Sequence, residues 1–445
     1  MRAQPLRCRC VKGRRYRDLH QRRQRTIACR RGRRALRRLR PDRPTDGGHH
    51  VIADKLEGLI ARHLPATFPA LSICVIHRGD IIMEEVRGWI DPDTRRIAVT
   101  TDSLFDLASV SKLITHSAFL ALVEAGKVAL DGPLVDVVPE FGRLNPRPIA
   151  GGQDPHTRKL LPVERRFRGQ TVDPSAVTFQ HLLTHTSGLP PWRSVYLLAA
   201  GAPPPPPTAG EAYAAERWRR GLAAMAEFPF AGSVGDTVRY TDIGIMLLGE
   251  AIARLQGCRL DQALGDLVLR PLALSTFTHR PVAAGVPRER IVPTEYDDHW
   301  RHRRAWGEVH DENACGVGGI AGHAGLFATV ADVARFGQAW LTGDSRLGIG
   351  PALRQLATRQ HASGQFRLGL GWMLKAEEDS SAGDRYSADA YGHTGFTGTS
   401  LWVDPQRQLV SSVLTNRVYH GRDPAGIHAF RRALHDLIVE AVDGK

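Results

Sequence analysis

Two short apolar runs, residues 71–76 and 81–86, flank the polar, glycine-containing segment His77-Arg78-Gly79-Asp80, and the pattern predicts a β-hairpin. Toward the other end, runs over 399–403 and 409–414 are split by Asp404-Pro405-Gln406-Arg407, and residues 427–442 carry helical spacing. The middle of the chain has a different period. Residues 109–124, 179–183, 242–256, 260–269 and 331–341 are spaced as helices, with Gly126 and Gly257 as C-terminal stops. Strands at both ends around a helical middle predict an α+β fold: an antiparallel β-sheet built from about 51–100 and 390–445, flanked by helices. A mainly helical subdomain is inserted over about 105–385. Residues 151–171 are basic and polar and predict a loop. Residues 203–207 are five prolines and predict a rigid extended segment rather than a docking peptide. The chain has no internal repeat.

The 42% hydrophobic and 24% charged content is that of a folded globular chain, and no apolar run approaches the ~20 residues of a membrane span. The net charge of +14 suggests a nucleic-acid partner until it is located. Residues 1–45 hold 18 Lys and Arg against only Asp18 and Asp42, while the other 400 residues sum to −2. Residues 1–50 are therefore read as an Arg-rich disordered extension or a misplaced start, and 51–445 as the folded domain. Nothing in the body is built for nucleic acid, so a polyanion contact is confined to weak binding by the tail. The tail lacks a signal-peptide core, which predicts a cytoplasmic protein, or a periplasmic or extracellular one if the true start carries a leader. Six scattered cysteines do not form a disulfide framework; Cys74, Cys258 and Cys315 are expected as small buried apolar groups.

Only seven of the 60 basic residues are Lys. One of them, Lys112, follows Ser109 by three positions in SVSKLITHSAFLALVEAGK, and i and i+3 share a helix face. Lys loses its proton when desolvated, whereas Arg effectively does not, so this pairing suits a nucleophile and its base. A lone S-x-x-K is common by chance. Two further segments raise its weight: Tyr240-Thr241-Asp242 ahead of a helical run, and His393-Thr394-Gly395 ahead of the strand TSLWV.

Those three segments, in that order, resemble the signature set of the serine β-lactamase and penicillin-binding-protein superfamily, in its class C β-lactamase-related branch. VTFQHLLTHTSGLP at 177–190, VHDENA at 309–314, GGIAGHAGLF at 318–327 and HTGFTGTSLWVDP at 393–405 extend the likeness over about residues 51–445. The resemblance implies a β-lactamase/transpeptidase-like fold and a serine hydrolase that works through an acyl-enzyme on an ester or amide: an esterase, a D-amino-acid peptidase or a β-lactamase-like enzyme. It implies Ser109 as nucleophile, Lys112 as its base and Tyr240 as proton relay to the leaving group and activator of the deacylating water. The oxyanion hole would be the backbone N–H groups of Ser109 and Phe396, and the substrate-binding residues Asp242, His393, Thr394 and Gly395. No metal and no cofactor are needed. Two departures shape the expectation. His393 stands where many penicillin-recognising members have Lys, which weakens attraction for a substrate carboxylate and favours esters or amides without that anion. Asp242 stands for Asn, and an anion there keeps Lys112 protonated unless it points away, shifting weight to Tyr240.

Other readings compete. His181 and His185 have the spacing of a zinc motif, but Leu182 occupies the Glu position and a packed, hydrogen-bonded pair is expected. His299, His302, His310 and Asp311 are expected in a solvated loop, and 316–321 as a tight glycine turn beside the cleft rather than a dinucleotide fingerprint. Trp192, Trp218, Trp300, Trp306 and Trp372 are expected as core or loop anchors. The rival function is a catalytically idle relative that binds a peptide or cell-wall fragment.

Overall fold

A computed structural model of the protein describes residues 46–154 and 157–444. The expected disordered extension lies outside the described residues up to Thr45. From Asp46 the chain is already helical, a few residues ahead of the boundary at 51.

The main elements in chain order are α1 (Asp46–His63), β1 (Ala70–His77), β2 (Asp80–Gly88), α2 (Ser111–Glu124), α3 (Phe179–Leu183), α4 (Asp242–Gln256) and α5 (Val330–Thr342). There follow the short strands β3 (Ala362–Ser363), β4 (Arg367–Leu368) and β5 (Met373–Leu374). β6 (Tyr391–Thr394), β7 (Ser400–Asp404), β8 (Leu409–Thr415) and α6 (Ile427–Asp443) close the chain. The eight strands form one antiparallel sheet in the order β3-β4-β5-β6-β7-β8-β1-β2. Early and late parts of the chain thus meet one strand in from the β2 edge of the sheet, where β1 pairs with β8 in the register Leu71↔Thr415 to His77↔Leu409. The sheet takes more from the middle of the chain than the sequence pattern predicted. β3, β4 and β5 come from the expected helical insertion and are two residues each, too short for a period-2 signal.

Alternation along the central strands explains the layering. Leu71, Ile73 and Val75 face one side with Trp402, Leu409 and Val413, where they meet Leu56, Leu59 and Ile60 of α1 and Phe430, Leu434 and Ile438 of α6. Cys74, Ile76, Leu401, Val403, Val410 and Leu414 face the other side, against α5 and the helical region. Both faces are covered, so β1, β7 and β8 are apolar on both. The edge strand β2 instead presents Glu84, Glu85 and Arg87, charges that discourage pairing with another chain.

The helical region surrounds α2, which is buried on all sides rather than amphipathic. α4 starts at the Thr241 N-cap, whose hydroxyl accepts from the Gly244 N–H at 3.2 Å, and stops at Gly257 with φ +65. The predicted helix at 260–269 is an α-turn, Leu260–Leu264, followed by a π-turn, Gly265–Leu269; a glycine inside a short helix makes that widening cheap. Cys74 and Cys315 are buried and Cys258 is half-buried. Trp192, Trp300 and Trp372 lie in the core, with Trp218 and Trp306 packed against it. Among the described residues no helix is long and apolar enough to cross a membrane.

Phe430 is fully buried and meets Phe68 edge to face with ring centroids 4.7 Å apart, pinning α6 to the sheet. Phe430→Ala is expected to destabilise the protein by about 3–5 kcal/mol, read as a lower urea midpoint at unchanged slope. A loss below ~1 kcal/mol would mean that this face of α6 is not a packed interface.

Candidate active site

Ser109 lies in a single 3₁₀ turn, Ala108–Val110, between the two-residue strand Phe105–Asp106 and α2. Ala108 sits at φ +46, a left-handed conformation that costs a residue with a Cβ about 1 kcal/mol or more. The buried Asp106 carboxylate holds it there, accepting from the Ala108 N–H at 2.8 Å and the His310 N–H at 2.6 Å.

One helical turn on, Lys112 has no solvent exposure. Its ammonium donates to Ser109 Oγ at 2.8 Å and to the His323 carbonyl at 3.1 Å, and lies 2.8 Å from Asp242 Oδ1. Two hydrogen bonds and one ion pair thus hold the ammonium, the Asp242 carboxylate serving as counter-charge rather than as a well-aligned acceptor. Burial pushes the Lys112 pKa down, but the Asp242 carboxylate and the Tyr240 oxygen more than offset it, and the net shift is upward. Asp242 therefore does not point away from Lys112, and the amine is held protonated.

Tyr240 is extended just outside α4, because Thr241 is the N-cap and Asp242 the first helical residue. Its ring lies 5.0 Å from Lys112 Nζ. Its hydroxyl oxygen is out of solvent contact and near Lys112 and Ser109, yet closes no hydrogen bond of good geometry with a protein group. Burial raises the Tyr240 pKa; Lys112 opposes this and Asp242 adds to it. His185 packs against the phenol: the two rings are tilted by 32° with centroids 4.4 Å apart, and His185 Nδ1 accepts the Thr241 N–H at 3.1 Å. Spacing alone assigns no such role to His185; its place in VTFQHLLTHTSGLP is the available signal. His181, by contrast, closes a capping box with Thr178 at the start of α3, so the two histidines are hydrogen-bonded separately and not to a shared ion.

The third segment comes from the sheet. His393 and Thr394 end β6, and the turn Gly395–Thr399 leads to β7. That turn lies on the residues just before Ser109: Thr397 Oγ1 donates to Asp106 O at 2.8 Å and Thr399 Oγ1 to Leu107 O at 2.9 Å. A Cβ on Gly395 would come within 2.6 Å of Leu107 O and 2.0 Å of Thr399 Oγ1, so only glycine allows the approach. His393 is buried with Nδ1 2.8 Å from the Thr394 carbonyl, and burial followed by Lys112 repulsion lowers its pKa to about 3. His116 is lowered to about 3 and His185 well below its usual range, both mainly by burial. One ion pair is thus surrounded by neutral imidazoles.

Two expectations change. His310 is buried and Asp311 caps the helix Glu312–Gly316 while bonding His323 Nε2 at 2.8 Å, so this part of the loop is not solvated, unlike His302. The cause is a contact distant in sequence: the Asp106 carboxylate accepts from the His310 N–H, and Asp311 bonds His323. The glycine turn that follows does lie beside the site, since Gly322 O accepts from Thr115 and His323 O from Lys112. Asp242, Asp311 and His323 place ligand atoms within 4.8 Å of one another, but the Lys112 ammonium is already the cation on Asp242 and Asp311 is bonded to His323.

Comparison with known proteins follows this geometry. The family profile described as Beta-lactamase matches residues 58–435. A protein of Salmonella agona (strain SL483) named "Putative D-alanyl-D-alanine carboxypeptidase" is 27% identical over 387 residues, covering 82% of each chain. Among solved structures, "EstCE1, a hydrolase with promiscuous acyltransferase activity" superposes with TM-score 0.62 at 17% identity, covering 87% of this chain and 99% of that one. The octameric penicillin-binding protein homologue from Pyrococcus abyssi gives TM-score 0.62 at 18% identity, covering 88% and 78%. With the profile spanning most of the folded body and the same sheet-and-helix architecture recurring in these structures, the chain belongs to the beta-lactamase family and is a serine hydrolase of that fold.

Proposed function

We propose that Ser109, Lys112 and Tyr240 form the catalytic centre of an acyl-transferring hydrolase acting on esters or amides that lack a carboxylate beside the scissile bond. The observation that carries the reading is the 2.8 Å contact between Ser109 Oγ and Lys112 Nζ, with the Tyr240 hydroxyl buried next to both. A serine hydroxyl needs a proton acceptor to attack a carbonyl carbon. Lys112 is held as ammonium by Asp242, and burial raises Tyr240 above its ordinary pKa, so both rest protonated; the active form is the minor one in which Tyr240 has lost its proton beside the Lys112 cation, and its oxygen then accepts from Ser109. In acylation Ser109 Oγ bonds the carbonyl carbon, its proton passes to Tyr240, and Tyr240 returns a proton to the leaving group. Water, deprotonated by the same oxygen, then cleaves the acyl-enzyme and frees Ser109. The N–H groups of Ser109 and Phe396 are the oxyanion donors in this reading.

The substrate preference rests on charge. His393 is neutral, and Arg422 beside the cleft is paired with Glu295 and Glu312. Neither offers a free cation to a substrate carboxylate. The carboxypeptidase name of the Salmonella relative marks the competing choice, a D-alanyl peptide. All of Ser109, Lys112 and Tyr240 are retained in contact, which speaks against an idle binder.

Exposure to a fluorophosphonate should add its mass once, on Ser109. Ser109→Ala should take no label and lose at least about 10³-fold in turnover of whichever p-nitrophenyl ester or D-alanyl peptide the protein cleaves. Turnover of the peptide in clear preference to neutral esters would reject the proposed substrate class while keeping the mechanism.

Asp242 raises the pKa of both Lys112 and Tyr240, so removing its charge lowers both, and the basic form of either group appears at lower pH. Asp242→Asn is therefore expected to move the acid limb of the kcat/KM profile down by on the order of one pH unit, about tenfold in rate on that limb. A uniform loss at every pH with the limb unmoved would make Asp242 an obligatory proton carrier instead.

A further inference from the structure

Two buried guanidinium groups stand under the β6–β7 turn without a carboxylate. Arg431, on the sheet-facing side of α6, is 7% exposed and makes no ion pair among the described residues. One of its nitrogens, Nη2, donates to Gly395 O at 3.0 Å and to Thr399 O at 2.7 Å, while Nε has no partner. Arg417 donates from Nε to Phe396 O at 2.8 Å and from Nη1 to two further carbonyls. Neighbouring arginines follow the ordinary rule: Arg407 pairs with Asp404, Arg422 with Glu295 and Glu312, and Arg432 with Asp379 and Asp384. A buried cation without an anion is costly to a marginally stable fold, so its retention calls for a reason. Burial and the repulsion of Arg417 lower the Arg431 pKa to about 9, which still leaves it charged at neutral pH.

The position of that charge matters. Gly395 C=O and Phe396 N–H are the two ends of one planar trans peptide, so a donor that fixes the oxygen also fixes the direction of the N–H opposite to it. A charge-assisted bond to the carbonyl polarises the unit and strengthens the N–H as a donor. Arg431 also bridges the two ends of the turn, because Gly395 N–H donates to Thr399 O at 2.7 Å and both carbonyls accept from the same nitrogen. We propose that Arg431 is a positioning residue of the acyl-transfer site, holding and polarising the Gly395–Phe396 peptide so that the Phe396 N–H meets the oxygen that becomes anionic when Ser109 attacks. This inference rests on the reading of Ser109 as nucleophile and Phe396 as oxyanion donor.

The test compares a p-nitrophenyl ester with its thionoester, in which sulfur replaces the carbonyl oxygen and is a poor hydrogen-bond acceptor. The wild type should prefer the oxygen ester strongly. Arg431→Met should lower kcat for the oxygen ester by about tenfold or more with KM within about twofold, and lower the thionoester rate much less, so that the preference shrinks by a similar factor. A merely structural role would slow both substrates alike. Thermal unfolding of Arg431→Met is expected at or above the wild-type temperature, since an unpaired buried charge is removed. Should that variant fail to fold, Arg431→Lys and Arg431→Gln carry the comparison, with Lys keeping most of the preference and Gln losing it. A wild-type preference left intact in Met or Gln overturns the role of Arg431 alone. A wild type without turnover or without preference for the oxygen ester removes the oxyanion reading itself, and the inference with it.

Discussion

The interaction on which the site depends is the buried Lys112 ammonium. An ammonium without solvent is tolerated only where each N–H finds an acceptor and a counter-charge is at hand. Here Ser109 Oγ, the His323 carbonyl and Asp242 meet both demands, and each comes from a different part of the chain. Satisfying one cation therefore gathers α2, the start of α4 and the glycine turn around a single point. The Ser109 hydroxyl, the proposed nucleophile, is itself an acceptor of that ammonium, so the lysine sets where Ser109 points as well as the field it feels.

The surrounding packing serves that arrangement. α2 is apolar on every face because it runs through the core, and a helix with no wet side holds a lysine that cannot snorkel out. Thr241 ends the extended segment carrying Tyr240 and begins α4 in one residue, which fixes the phenol relative to Asp242. His185 then backs the ring. The sheet supplies the remaining wall through β6 and its turn, fastened to the backbone of Asp106 and Leu107 by two threonine hydroxyls.

Most of the framework was legible in the sequence. The hairpin, the long C-terminal helix and the helix at 242–256 follow from period and capping alone, and they match the observed elements within a residue or two. Ser109 and Lys112 were found by their i, i+3 spacing, and the cost of an anion at Asp242 was foreseen from charge type. What escaped were features set by distant contacts. Two-residue strands carry no period, so β3, β4 and β5 were invisible. Nothing local to His310 announces burial; the carboxylate that accepts from its N–H, Asp106, lies 204 residues earlier. Arg431 looked like any polar position of an amphipathic helix, because its partners are backbone carbonyls more than thirty residues away.

The pairing of β1 with β8 has a consequence for how the chain becomes a protein. Residues near 71 wait for residues near 415, so during synthesis the first hairpin emerges with an apolar flank that stays unmatched until more than three hundred further residues have left the ribosome. Until then the strand is a template for mispairing with other nascent chains. Biogenesis of this molecule thus turns on residues 409–415, and a chain cut short before them is a candidate for chaperone capture rather than a smaller working unit.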